Sequence, residues 1–578
     1  MYKPTSPQLT LTEPAFQMPG ILPKDDWSFI YKEKIWPLID ENRFKHLYSG
    51  EAGAPNISIK LKLSLLIFMA LEQLNWRQVE FMFMRRIDWI NATYSEFGQT
   101  FIDHTTLFKF YQRLADDDST YQLFVDLTNN FIEICGVSKK KQRVDSFFML
   151  GWLATLSRYG LFKETIRSFL QSLRKHKLGL YAEVKDKLSL DYLQDSFDLT
   201  EKDKDKARGR IKETAKDLYL LKTSFEHHHQ IGHYQTFKTL VQVFEQQCAV
   251  QSEDDLSSSG DVESDKELIE IKQNADTVGL KEKTSPDDTT PAEPEIEIRE
   301  KPVGDKIISS PHNTDAEYTR KRAQTVVGHK GFLTETCDPE NKVQFITDVN
   351  PEAATHADAA EISLSEQRLE DNNLKPEELH GDAGFVNGQS ILDAAGRGIK
   401  LAGPSSGRSQ SIEGFADADR PLDIADFKVQ IDDETKELSV LSCPEAQVPI
   451  DQPRSEKTGK LLVHFNSDVC RACGSRERCP VKIGVKISTV TVDEAQHAGA
   501  ARHHQYMGDP EYRRKCAVRA GAESLVNEIA NGHNGRQSRH RNEKGSRLQL
   551  LMAGISCNVK RFIRFTQNCA RNPANVPG

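Results

Sequence analysis

The sequence has no long hydrophobic run. Its most apolar stretch, Leu63–Leu71, covers about half of a bilayer span and is bordered by Lys60, Lys62 and Glu72, which excludes a membrane-spanning helix. The first residues, MYKPTSPQLT, contain no apolar segment of the kind that opens a secretory signal, so a soluble intracellular chain is expected. No internal repeat is present, which excludes solenoids and propellers. Apolar residues make up only 38% of 578, low for a chain packed throughout. Part of it is therefore expected to lie outside any core. The length itself excludes one compact domain and suggests roughly three or four.

Positive charge is also short overall, since the formal net charge is −9. The balance is uneven along the chain. Gln251–Glu300 holds 16 acidic against 5 basic residues, whereas 501–578 holds 14 basic against 5 acidic ones. An acidic protein thus carries a basic C-terminal region able to meet a polyanion. The acidic segment, rich in Ser, Asp, Glu, Lys and Pro, cannot bury enough apolar surface to fold alone, so 250–312 reads as a disordered linker.

Cysteine is not scarce, and its distribution is informative. Cys135, Cys248, Cys337, Cys516, Cys557 and Cys569 are scattered, while Cys443, Cys470, Cys473 and Cys479 cluster. In a reducing compartment a cluster points to metal rather than disulfides. The spacing Cys470-x2-Cys473-x5-Cys479, with Cys443 upstream, fits a structural Zn²⁺ site with four ligands, and His464 or Asp468 stand in reserve if Cys443 is not one of them. The run His227-His228-His229 with His233 reads as solvated, because no carboxylate stands at fixed spacing.

Hydrophobic periodicity divides the rest. After a flexible 1–26, residues 27–138 read as all-α. Helices are expected at Ile59–Trp76, Trp76–Ile90, Thr105–Leu114 (with an N-cap in Asp103-His104-Thr105-Thr106) and Tyr121–Cys135, stopped by Gly136. Residues 139–176 begin an α/β unit with a strand at Val144–Leu150 and a helix at Leu161–Arg174. A helical insertion, 177–249, and the acidic linker follow. The α/β unit continues over 313–410, with strands near Gln324–Thr336, Lys342–Val349, Glu378–Asp382 and Ile399–Ala402 and helices at Ala359–Asp371 and Gly388–Ala395. Residues 411–500 form a β-rich insertion containing the cysteines. Residues 501–578 supply one helix over Tyr512–Ile529, a break at Asn531–Gly535, and a final helix at Arg547–Phe565.

Three acids need a reason for where they sit. Asp145 interrupts an apolar strand, where an unpaired carboxylate is costly. Asp382 lies in His380-Gly381-Asp382-Ala383-Gly384-Phe385, whose small residues permit close approach. Glu523 lies on a helix one turn after Arg519. Hard divalent ions want such oxygen ligands, and paired ions can neutralise both sides of a reacting phosphodiester.

Taken in order, Val144-Asp145-Ser146, Gly381-Asp382-Ala383-Gly384-Phe385 and Arg519-Ala520-Gly521-Ala522-Glu523 resemble the three-carboxylate (DDE) transposases of bacterial insertion sequences. The resemblance is closest to the subgroup with a helical N-terminal domain and a Cys-rich insertion before the last catalytic helix. Asp103–Phe110, Asp315-Ala316 with Gly328–Phe332, Arg536–Lys544 and Leu548–Arg561 also resemble signatures of that family. The resemblance implies a ribonuclease H-like catalytic core, with Asp145 on the first strand, Asp382 at the end of the fourth and Glu523 on a helix after an insertion.

It further implies Mg²⁺ or Mn²⁺ held by the three acids, and cleavage and strand transfer at the ends of an insertion sequence. Double-stranded DNA, at transposon ends and target, is the expected partner, bound by a homodimer in a bacterial, nucleoid-associated, cytoplasmic setting. Arg519, Arg536, Arg539, Arg541 and Lys544 are the expected DNA contacts. The alternative is a DNA-binding regulator derived from a transposase and lacking catalysis. The sequence departs from the family at Cys516 and Phe385, where Tyr is common, and at Ala530, where Lys is. Glu528 is the rival third acid, on another face of the helix.

Overall fold

The structure, a computed structural model, describes residues 2, 14–17, 19–49, 56–98, 101–151, 157–193, 204–250, 295–304, 306–321, 324–405, 420–432 and 438–572. Among these residues no helix is long and apolar enough to cross a membrane. Half of the expected flexible N-terminus and most of the acidic linker lie outside the described residues; within the former, Pro14–Gln17 is helical.

The N-terminal region is helical, as its periodicity predicts. Helix α1 (Ile59–Leu71) is buried almost all round and ends earlier than expected, near Gln73, whose φ of 57° is left-handed. Trp76–Phe83 starts at Asn75 with a capping box, and a further short helix at Ile87–Ala92 follows Arg86, so the expected Trp76–Ile90 helix is in fact two. Helix α2 (His104–Ala115) is capped by Asp103, which accepts from Thr105 N–H at 2.8 Å. Helix α3 (Ser119–Cys135) stops at Gly136, whose φ of 61° only glycine adopts without cost. Lys62 lies inside this domain, not at a border: it is 3% exposed and its ammonium sits 4.5 and 4.6 Å over the rings of Tyr48 and Phe110. Burial, with help from nearby Arg113, pushes its pKa down to about 7.

A mixed sheet follows. Strand β1 (Lys141–Leu150) is central. It pairs antiparallel with β3 (Gln324–Thr336) and parallel with β5 (Glu378–His380), which pairs parallel with β6 (Lys400–Ala402). The far edge of β3 is shared by β2 (Glu317–Lys321) and β4 (Ile346–Ala353), both antiparallel. Alternation along β1 serves two cores. Phe147 and Met149 face the one that contains the N-terminal helices, and Val144 faces the other, with Phe332, Leu379, Phe385 and Leu401. Helix α4 (Asp358–Asp371) enters that second side through Ile362.

The N-terminal helices do not have a core to themselves. They share one core with Leu333 of the sheet and with the final helix, α7 (Glu543–Arg571). That helix is longer than the expected Arg547–Phe565 and is buried along most of its length. Asn558 shows why: its amide donates to Ile346 O and Thr128 Oγ1 at 2.8 and 3.0 Å, and its carbonyl accepts from Ile346 N–H at 2.9 Å. One side chain thus ties α7 to both α3 and β4.

The helical insertion begins earlier than the sequence suggests. Arg158–His176 packs with Lys204–Phe225 and Gln235–Gln247 around its own core, which Ile308 also enters. Ile296–Ile298 pairs antiparallel with Cys248–Val250. The linker expected over 250–312 is therefore ordered where it is described. The reason is that its last apolar residues are the ones that close the helical subdomain.

The cysteine-containing insertion holds two antiparallel hairpins, Lys428–Ile431 with Leu438–Ser442 and Leu461–Asn466 with Ile487–Val492. Helix α5 (Glu494–Gly508) leads back to the core and packs closely on the Gly388–Gly396 helix. A Cβ at Gly388 would lie 1.7 Å from Ala495 O. The single helix expected over Tyr512–Ile529 is segmented instead. It comprises Pro510–Cys516, a 3₁₀ turn Ala517–Ala520, α6 (Gly521–Asn527) and a π turn Glu528–Gly532.

Candidate active site

The site lies where β1 and β5 run side by side. Asp145 occupies the middle of β1, opposite Leu333 on β3. It is half-buried, and Ser146 N–H donates to its Oδ1 at 2.7 Å. Burial pushes its pKa up. The Ser146 bond and the charge of Arg519 oppose that, while Asp382 and Asp358 add to it. The structure therefore brings Asp145 and Asp382 into electrostatic contact across 237 sequence positions.

Asp382 follows β5 in a tight turn. Gly381 N–H donates to Ala402 O at 3.0 Å, and Phe385 and Val386 N–H both donate to Asp382 O at 3.1 Å. Gly384 N–H donates to Asp382 Oδ1 at 2.7 Å. A Cβ at Gly384 would lie 2.8 Å from Asp358 Oδ2 and 3.0 Å from Asp382 Oδ1. Glycine is thus required by the crowding of two carboxylates. Phe385 is fully buried and stands edge-on to Phe332 at 6.1 Å. Its position serves the core, so the phenolic hydroxyl common in the family has no counterpart here.

Asp358 is an acid that the sequence reading missed. It opens α4, and its Oδ1 accepts from Ser146 Oγ at 2.8 Å and pairs with Lys330 Nζ at 2.7 Å. Lys330 also donates to His356 O at 3.1 Å. Nothing in the local sequence marks Asp358, because an acid in the first turn of a helix is ordinary.

Glu523 is exposed on α6, whose Ala522 and Leu525 are buried. The helix docks on the face of β1 that carries Asp145. Arg143, two residues before Asp145, donates to Val518 O at 2.9 Å, and its guanidinium fills the space a Cβ at Gly521 would take. Arg519 sits between, close enough to act on Asp145. The triad is not drawn to ligand spacing. The described groups whose ligand atoms all lie within 4.8 Å of one another are Glu528–His533–Cys557, Glu80–Asp103–His104 and Asp423–Asp426–His504. Each is explained locally, by Lys560 on Glu528, by the α2 cap, and by Arg420 on Asp426.

The rival acid Glu528 has a structural role. Lys560 and Arg561 hold it at 2.6 and 2.8 Å, Arg561 also pairs with Glu335 at 2.8 Å, and Glu335 with Arg143 at 2.5 Å. Burial alone raises the Glu528 pKa, but Arg561 and Lys560 outweigh it and hold the carboxyl at about 2. This chain of pairs joins α7, β3, β1 and the approach to α6.

The expected DNA contacts divide. Arg536, Arg541 and Lys544 are exposed, Lys544 against Asp116 at 2.7 Å, and Arg519 is half-exposed. Arg539 is committed elsewhere: it donates to Leu74 O at 2.7 Å, Gln73 O at 3.4 Å and Asn534 Oδ1 at 3.0 Å, pinning this segment to the helical region. Beside it, α2 and residues 539–545 enclose a cavity of about 360 Å³ lined by Phe108, Gln112, Arg541 and Lys544. Tyr111 forms its floor, stacked on His540 at 4.6 Å and bonded to Gly545 O at 2.8 Å.

Two parts of the chain match known families. Residues 23–113 match a transposase domain (DUF772), and residues 442–563 match a transposase DDE domain. The two matches support an insertion-sequence DDE transposase. The second match contains the four clustered cysteines, Arg519 and Glu523, while Asp145 and Asp382 lie outside both. No curated protein and no solved structure matches the chain.

Proposed function

We propose that the protein catalyses metal-dependent cleavage and strand transfer of DNA at the ends of an insertion sequence, with Asp145, Asp382 and Glu523 as the ligands of Mg²⁺ or Mn²⁺. The observation that carries this reading is the nearness of Asp145 on β1 to Asp382 in the turn that follows the parallel neighbour β5, with Arg519 close by and Glu523 on the adjoining helix α6. The sheet order β4–β3–β1–β5–β6, with β3 antiparallel and β5 and β6 parallel, supports a ribonuclease H-like core.

The donor set fits a hard divalent cation. It offers only carboxylate oxygens, and burial with like charge nearby raises the Asp145 pKa, as expected where a cation normally supplies the compensation. When bound, such ions activate the attacking oxygen and stabilise the leaving one. Asp358, tied to Ser146 and Lys330, lies close against the Gly384 turn. Arg519 balances charge at Asp145 and is placed to meet a phosphate. Arg536, Arg541 and Lys544 extend the basic surface along the duplex backbone.

Asp145→Asn and Asp382→Asn are each expected to abolish nicking of a DNA duplex carrying the element's ends in Mg²⁺, with retention on that duplex in a mobility-shift assay unchanged. Wild-type nicking by either variant overturns the assignment of that residue.

A further inference from the structure

We infer that Cys443, Cys470, Cys473 and Cys479 form a four-thiolate structural Zn²⁺ site that staples the two hairpins of the insertion before the α6 helix. The sequence alone leaves the fourth ligand open between Cys443, His464 and Asp468. The fold decides it. Cys443 follows strand Leu438–Ser442 of one hairpin, while Cys470 lies in the Ser467–Ala472 helix, and Cys473 and Cys479 flank the Arg476–Arg478 turn, inside the other. All four line a single cavity of about 30 Å³, room for an ion or a water and not for an organic ligand. His464 is turned to Asp451 at 2.5 Å, and Asp468 is 89% exposed and paired with Arg471.

Hydrogen-bond donors face three of the four sulfurs. Gln447 N–H donates to Cys443 Sγ at 3.3 Å, Val481 N–H to Cys479, and the Ser488 hydroxyl to Cys470. Short turns hold the sulfurs in place: Ala446 N–H to Cys443 O at 2.9 Å, Arg476 N–H to Cys473 O at 3.2 Å and Cys479 N–H to Arg476 O at 3.4 Å. The rest of the lining is mainly apolar, including Phe465, Val469 and Val481. The cysteines are not among the described groups whose ligand atoms all lie within 4.8 Å of one another, so a bound ion would have to draw the sulfurs closer together.

The insertion also needs such a staple. Its core is small, built around Phe427, Val440, Val463, Phe465 and Val490. A core of this size alone supplies little net stability, and small units are commonly held by metal or disulfide. With four protein ligands the ion has no open position, so the site is structural and separate from the carboxylates.

The test uses the full-length chain purified under reducing, chelator-free conditions. Elemental analysis is expected to give one Zn per chain, unchanged by Asp145→Asn or Asp382→Asn. Exchange with Co²⁺ is expected to produce a thiolate-to-cobalt charge-transfer band. Cys473→Ser is expected to lose the metal and expose 420–492 to protease, while Cys337→Ser retains it. Absence of stoichiometric metal, a cobalt spectrum without the thiolate band, or full zinc content in Cys473→Ser overturns the inference. Because the wild-type spectrum is read directly, misfolding of a variant does not blunt the test. Neither outcome bears on the DNA-cleaving reading.

Discussion

Glu523→Gln and Glu528→Gln, five residues apart, are expected to fail in opposite ways. Glu528 is clasped by Lys560 at 2.6 Å and Arg561 at 2.8 Å, and its side chain is 23% exposed. Its carboxyl falls from the ordinary 4.5 to about 2 in the fold. At about 1.4 kcal/mol per unit, this corresponds to roughly 3 kcal/mol of stability above pH 4.5. The sign follows from the lowered pKa. The contribution is complete above the unfolded value of 4.5 and disappears as the pH falls toward 2.

Glu528→Gln is therefore expected to lower Tm at pH 7 by about 6–12 °C, for a cooperative unit of roughly 150–250 residues. The gap to wild type should close as the pH drops through the window between 4.5 and about 2. Where the variant remains folded, it should nick DNA. Glu523→Gln, on an exposed position, should leave Tm unchanged and abolish nicking. Differential scanning fluorimetry and a plasmid nicking assay on the same preparations read both. An unchanged Tm with lost nicking in Glu528→Gln refutes the reasoning and makes Glu528 the third acid.

Other consequences follow from the same contacts. Gly384→Ala places a methyl 2.8 Å from Asp358 Oδ2 and 3.0 Å from Asp382 Oδ1, so nicking should be lost at a stability cost of about 1–3 kcal/mol, and wild-type nicking would show that the carboxylates need not stand so close. Arg539→Ala leaves Leu74 O without its donor and should cost about 1–3 kcal/mol in thermal or urea unfolding, with little change in salt dependence of DNA binding. Arg541→Ala should do the reverse: Tm stays constant while the slope of log K against log salt falls by about 1 in a fluorescence-anisotropy titration.

Much of the local structure was legible in the sequence because its causes are local. An apolar run marked β1, alternation marked β3, Asp103 marked the start of α2, and Gly136 marked the end of α3. The order of Asp145, Asp382 and Glu523 along the chain, and the close spacing of Cys470, Cys473 and Cys479, could likewise be read before any fold was known. The tertiary structure alone decided which charges are structural. Arg561 meets Glu335 across 226 positions and Arg539 meets Leu74 across 465, and no periodicity reports such pairs. It also brought Asp358 beside the Gly384 turn, set Cys443 along one cavity with Cys470, Cys473 and Cys479, drew the end of the acidic linker into the helical subdomain, and merged the N-terminal helices with α7 in one core. The physical reason is the same in each case. A residue's own segment sets whether it is helical or extended, but whether a charge is a ligand, a clasp or a solvated group depends on what distant segments place beside it.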